Sequence, residues 1–199
     1  IILIPKLREM LNCKAIIIDK KKLIIGTKLK LFTDNLGKIE SYYKLNVKNI
    51  NLDRLNYIKI NLRIFKEKFY IQNYVVENYF INIRKDYKKT LISMYLIELI
   101  NKTMGFELPE KRIFNMTVNF LNFLDKEEQE DRIFQNLLKF LLYYLLLLGY
   151  IDNASATQLL ENKFENDNEN SNWISKITRI NNYIQKVFNI EINSLKILL

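Results

Sequence analysis

The chain predicts an α+β protein: a small N-terminal β-barrel followed by an all-helical C-terminal domain. Three observations predict it. Apolar residues recur with period two from Cys13 to Ile83, and with a period near 3.6 beyond it. The segment LFTDNLGK at 31–38 places turn chemistry between two alternating runs. Positive charge is concentrated in the strand-rich part. Residues 1–83 carry 16 Lys and Arg against 7 Asp and Glu, residues 84–150 carry 10 against 9, and residues 151–199 carry 5 against 6.

Each strand follows from its pattern. KAIIID at 14–19 is a short continuous apolar run, as a buried strand requires. Leu29, Leu31 and Thr33 share one face of the next strand, with Lys28, Lys30 and Phe32 on the other. Asp34-Asn35-Leu36-Gly37 turns the chain. Ile39, Ser41, Tyr43 and Leu45 then alternate with Lys38, Glu40, Tyr42 and Lys44. In NYIKINLRIF at 56–65, Ile58, Ile60, Leu62 and Ile64 oppose Tyr57, Lys59, Asn61, Arg63 and Phe65. Glu67 and Lys68 read as a turn, and residues 69–80 as a longer strand. About five strands in about 70 residues suit a closed barrel such as an OB-fold, which leaves no unprotected edges.

The helices follow from the change of period. Residues 84–105 form a largely buried helix with Gly105 as its C-cap. The next begins at Leu108 and Pro109 and carries an apolar stripe of Ile113, Thr117, Phe120, Leu121 and Leu124. The acidic run 125–131 combines a linker with a helix N-terminus, where negative charge is favoured. A third helix spans about 132–148, and a last one about 173–188. The expected domains are an extension at 1–12, the barrel at 13–83 and the helical domain at 84–199, with a polar, asparagine-rich loop at 161–172.

Composition narrows the chemistry. The chain has 199 residues, 49% of them hydrophobic, enough for a substantial core. The net charge is +9. Heavy use of Ile, Asn and Lys follows partly from AT-rich codons, but codon bias spreads lysine along a chain and does not confine its excess to residues 1–83. With one cysteine, Cys13, and no histidine, neither an internal disulfide nor a Cys/His zinc site can form. No metal or cofactor is expected. His-based acid–base chemistry is unavailable, and no Walker or GxGxxG motif is present, so the chain reads as a non-enzyme. The longest apolar run, 140–148, is far short of the roughly 20 residues that cross a bilayer, so no membrane partner is expected. The chain does not begin with Met, and Met10 is a candidate native start.

A basic strand face with interleaved aromatics suits a nucleic-acid backbone, with rings available to bases. The candidate contacts are Lys20, Lys21, Lys22, Lys28, Lys30, Phe32, Lys38, Tyr42, Lys44, Lys48, Arg54, Lys59 and Arg63.

The order of features resembles the RecO family of bacterial recombination mediators. KLKLFTDNLGKIES at 28–41, YLIELINKTMGFELPEKRIF at 95–114 with FLLYYLLLLGY at 140–150, and YIQKVFNIEINSLKIL at 183–198 carry the resemblance, as does MLNCKAIIID at 10–19. It implies an OB-fold with a helical C-terminal domain and a cytoplasmic, nucleoid-associated role in DNA repair and recombination. The implied partners are single- and double-stranded DNA, RecR, the tail of single-strand-binding protein and, indirectly, RecA. The implied activities are annealing of complementary strands and help in loading RecA. The acidic tail of single-strand-binding protein needs an apolar pocket with a basic rim, for which Arg84, Lys85, Lys88, Lys89 and Arg112 are the candidates. Two departures stand out. The four zinc-binding cysteines of many members are absent after Leu-Gly-Tyr, and the stretch 44–54 holds only Lys44, Lys48 and Arg54 where many members are arginine-rich. A non-enzymatic interaction module with weak or lost DNA binding is therefore the alternative.

Overall fold

A computed structural model describes residues 10–43, 52–152, 154 and 169–194. The chain divides into two compact units, Ile1–Phe80 with Thr103–Phe114, and Ile81–Lys102 with Asn115–Leu199. The candidates Lys44 and Lys48 lie outside the described residues, as does 161–168 of the expected polar loop.

The first unit is the expected barrel. Its strands are β1 (Met10–Leu23), β2 (Gly26–Thr33), β3 (Gly37–Tyr43), β4 (Tyr57–Phe65) and β5 (Lys68–Asn78). They close in the order β1-β2-β3-β5-β4, with β1 antiparallel to β4 and β3 parallel to β5. Inward residues such as Ala15, Ile17, Leu29, Leu31, Ile58 and Ile60 are fully buried. Cys13 lies among them, and burial, with the Asp34 charge adding to it, pushes its thiol up to about 12. It is a packing residue and not a nucleophile.

A β-bulge between Ile17 and Asp19 shifts the phase of β1. Before it, Ile17 faces Leu31 in the core; after it, Asp19 faces Lys30 and Lys21 faces Lys28 on the outside. The bulge thus re-aims the lysine run.

The 34–36 turn is fixed residue by residue. The Thr33 hydroxyl accepts from the Leu36 N–H at 3.0 Å and donates to the Gly37 carbonyl at 2.8 Å. Asp34 accepts from the Lys14 N–H at 3.0 Å, and the Asn35 amide donates to the Asn12 carbonyl at 3.1 Å, tying the turn to β1. Gly37 has φ +71°, and a Cβ there would lie 2.3 Å from the Leu108 carbonyl oxygen. The reason is the segment 103–114, which crosses the start of β3. Its Glu107 N–H donates to the Lys38 carbonyl at 2.9 Å, and Lys38 and Phe106 form a parallel bridge. Phe114 covers an outward apolar row, with its ring 5.6 Å from Phe32 and 6.4 Å from Tyr57. Ile16, the cross-strand partner of both Phe32 and Tyr57, is also buried.

The second unit holds α1 (Ile81–Lys85), most of α2 (Tyr87–Thr103) and of α3 (Lys111–Lys126), α4 (Glu130–Leu147) and α5 (Glu169–Phe188). The last helix begins four residues earlier than its apolar pattern indicates. The carboxylate of Asp125 caps α1 by accepting from the Asn82 and Ile83 N–H groups, both at 3.0 Å. The acidic run serves a similar purpose further on, since Glu130 and Asp131 occupy the first turn of α4. The leucine-rich run is core: Leu141, Leu142, Tyr144 and Leu145 are buried, and Phe140 packs 5.3 Å from Phe120. Among the described residues no helix is long and apolar enough to cross a membrane. The buried Tyr95 hydroxyl donates to Asn181 at 3.2 Å, joining α2 to α5.

Glu98 clasps the C-terminal segment. It accepts from the Asn193 N–H at 3.1 Å, the Ser194 N–H at 3.0 Å and the Ser194 hydroxyl, and pairs with Lys102 at 2.8 Å. Burial alone would raise its pKa, but these hydrogen bonds outweigh burial and hold the carboxyl at about 2. A depressed folded-state pKa stabilises above the ordinary value of 4.5, and that contribution is lost as pH falls toward 2. Glu98→Gln is expected to cost roughly 1 kcal/mol at neutral pH, allowing for solvent screening, and to flatten the stability profile between pH 4.5 and 2. Urea unfolding at stepped pH measures both; a variant curve parallel to the wild type would remove the clasp's role.

Candidate nucleic-acid interface

One line of cross-strand partners runs round the outside of the barrel. Lys21 lies opposite Lys28, Lys28 opposite Tyr42, Tyr42 opposite Tyr70, and Tyr70 opposite Arg63. The alternate positions Leu29, Ser41, Ile71 and Leu62 are buried, so these five side chains face outward, Lys21 exposed and the others half-buried. All five strands of the barrel therefore contribute to one band of cations and rings.

The band is widened at the β4–β5 turn. Lys66 and Glu67 both adopt positive φ, 49° and 58°, the geometry of a tight hairpin turn. This turn carries an exposed Phe65, with the Arg63 guanidinium 5.7 Å and the Lys66 ammonium 5.6 Å from its ring. The Lys68 ammonium lies 5.8 Å from the Tyr42 ring, and Tyr42 and Tyr70 are 5.7 Å apart. Phe65 stands edge-on to Tyr70 at 6.4 Å. Cations held against ring edges and faces leave an electropositive aromatic surface, chemically suited to phosphates and stacked bases.

The candidates from sequence fall into three groups. Lys21, Lys28, Tyr42 and Arg63 form the band. Lys22 is exposed beside it, and Lys59 is exposed opposite Lys14, outside the line of five. Others are engaged within the barrel unit. Phe32 is fully buried against Phe114, so its ring has no open face for a base, which corrects its assignment as a contact. Lys38 is 5% exposed, with its ammonium 4.5 Å from the Phe106 ring, and burial, then the Lys30 charge, lowers its pKa. Lys30 lies 5.8 Å from that same ring. Lys20 donates to the Leu52 carbonyl, and Arg54 pairs with Asp19 at 2.5 Å. Within the band itself, Lys28 pairs with Glu40 at 2.6 Å.

Phe65, Lys66, Lys68 and Tyr70 complete the surface and do not stand out from the sequence. Their one signal is the basic–aromatic alternation of RIFKEKFY at 63–70, which the turn reading of Glu67 and Lys68 splits. Of the proposed rim, Arg84 and Lys85 are exposed in the last turn of α1, Lys88 pairs with Glu130 at 2.8 Å and Lys89 is 8% exposed. Arg112 belongs to the barrel unit and the other four to the helical unit.

A five-stranded barrel with this strand order, followed by helices, defines an OB-fold protein with a helical C-terminal domain. Residues 84–157, within the helical part of the chain, match the family model described as Recombination protein O C terminal. No curated protein matches the chain. Among solved structures, it is similar to "Structure and Conformational Change of a Replication Protein A Heterotrimer Bound to ssDNA" at 11% identity. That likeness covers 44% of this chain and 73% of that one, with a TM-score of 0.29, and carries no further argument.

Proposed function

We propose that this chain is a RecO-type recombination mediator that binds single- and double-stranded DNA on its barrel and anneals complementary strands. With RecR it assists RecA loading on DNA coated by single-strand-binding protein. It acts by binding and not by catalysis. The observation that carries the reading is the outward line Lys21–Lys28–Tyr42–Tyr70–Arg63, which joins cations to rings across the OB-fold. The family match in the helical half supports it independently. The exposed α1 cations Arg84 and Lys85 are the place we assign to the acidic tail of single-strand-binding protein.

Annealing is the discriminating activity. Two complementary oligonucleotides, one carrying a donor dye and one an acceptor, should pair faster with the protein than alone, and the gain should fade as salt rises. Binding without acceleration would reduce the reading to a DNA-binding module. Neither binding nor acceleration would favour the interaction module, to which the internal engagement of Lys20, Phe32, Lys38 and Arg54 already lends some support.

A further inference from the structure

The β1–β2 turn breaks two rules at once. Leu23 pairs with Gly26, so Ile24 and Ile25 form the two-residue tip. Such tips favour Asn, Asp and Gly, and large apolar residues belong inside. Here Ile24 and Ile25 are the most exposed large apolar residues described, at 104% and 84%, with Leu23 beside them also exposed. A place where local turn chemistry and burial both fail marks a function that compensates for them.

The surroundings indicate what the tip meets. Lys21 and Lys28 face each other across the two strands below it, and Lys22 adds a third cation. Glu40 already pairs with Lys28 at 2.6 Å, so Lys21 and Lys22 are the exposed cations beside the tip that an incoming anion meets first. An occupant anionic along its sides and apolar in its middle complements this tip. A membrane meets that description only at its headgroup plane, and protein surfaces seldom do. Nucleic acid meets it at every step, with bases flanked by phosphates.

Resting on the reading that the barrel binds DNA, we propose that the β1–β2 tip is a wedge. Ile24 and Ile25 cover the open stacking face of the terminal base pair where a duplex gives way to single strand, while Lys21, Lys22 and Lys28 hold the flanking phosphates. Apolar side chains inserted at base steps are an established way of engaging a helix, and they usually carry an unstacking cost. A junction already presents an unstacked face, so the wedge meets the smallest opposition there. The five-residue band continues from Lys28 and carries the single strand away from the junction.

The test uses the full chain, a duplex with a single-stranded overhang bearing 2-aminopurine at the terminal pair, and an oligothymidine. In the variant Ile24→Ser with Ile25→Ser, the junction should bind about tenfold more weakly, since burying one such side chain ordinarily shifts an equilibrium by about a decade. The 2-aminopurine response should be lost, while oligothymidine binding stays within about twofold because the band is untouched. A wild type that binds the junction without altering 2-aminopurine, or a variant that alters it equally, overturns the wedge and leaves the barrel reading standing. A wild type that binds neither DNA overturns both. Isoleucine-dependent sedimentation with phosphatidylserine vesicles, without a 2-aminopurine response, overturns the wedge in favour of a lipid surface.

Discussion

Replacing Gly37 with alanine is expected to destabilise the barrel unit by roughly 3 kcal/mol, the upper part of the ordinary range for a single substitution. Two costs combine. The backbone at Gly37 has φ +71°, which an L side chain seldom adopts. The new Cβ would also sit 2.3 Å from the Leu108 carbonyl oxygen, and that obstacle is backbone, which cannot swing aside. Segment 103–114 must then lift from β3, releasing the Glu107–Lys38 hydrogen bond and opening the cover that Phe114 places over Phe32. Thermal unfolding followed by circular dichroism measures it, and a drop in Tm of about 10 °C is expected for a chain of this size. Gly149→Ala is the control. It shares a positive φ, 77°, but has nothing within 4 Å of its added Cβ, so it should cost about a third as much. Equal costs at the two positions would show that backbone conformation, and not the docked segment, sets the requirement at Gly37.

The second large effect concerns DNA. Changing Lys21, Lys28 and Arg63 together to glutamine should weaken single-strand binding about a hundredfold at 0.1 M salt. Each phosphate contact contributes roughly 0.7 decades of salt dependence on single strands, so three contribute about two decades at that concentration. The variant's salt slope should fall by about two units. An opposite change checks the assignment. Glu40 holds Lys28 at 2.6 Å, so Glu40→Gln frees a band cation and removes an anion, and it should tighten binding several-fold. Fluorescence anisotropy reads all three proteins. A triple variant that binds like the wild type would place the interface elsewhere.

The LFTDNLGK hairpin was legible because its chemistry is local: Thr33, Asp34, Asn35 and Gly37 act within the turn or on the neighbouring strand. Alternation also gave the inward faces of β2, β3 and β4. The helical half was legible from its period, although Asp125 capping α1 and Glu98 holding Ser194 join residues 42 to 96 positions apart. What alternation cannot give is what lies over an outward face. Phe32 and Lys38 do point outward, but segment 103–114 covers them from some 70 residues away. Nor can it give the parallel pairing of β3 with β5, which sets Tyr42 beside Tyr70 and completes the band. The β1 bulge is equally hidden, yet it decides that Lys21, and not Lys20, faces Lys28.

In the proposed mode of binding, the line Lys21–Lys28–Tyr42–Tyr70–Arg63, with Lys66 and Lys68 at its edge, receives a nucleic-acid strand. The most direct test is the anisotropy of a labelled oligothymidine titrated with the full chain at several salt concentrations between about 50 and 200 mM. Five cations contacting phosphates predict that log affinity falls linearly with log salt with a slope near −3.5. Binding that is undetectable at the lowest salt, or that does not change with salt, would contradict it.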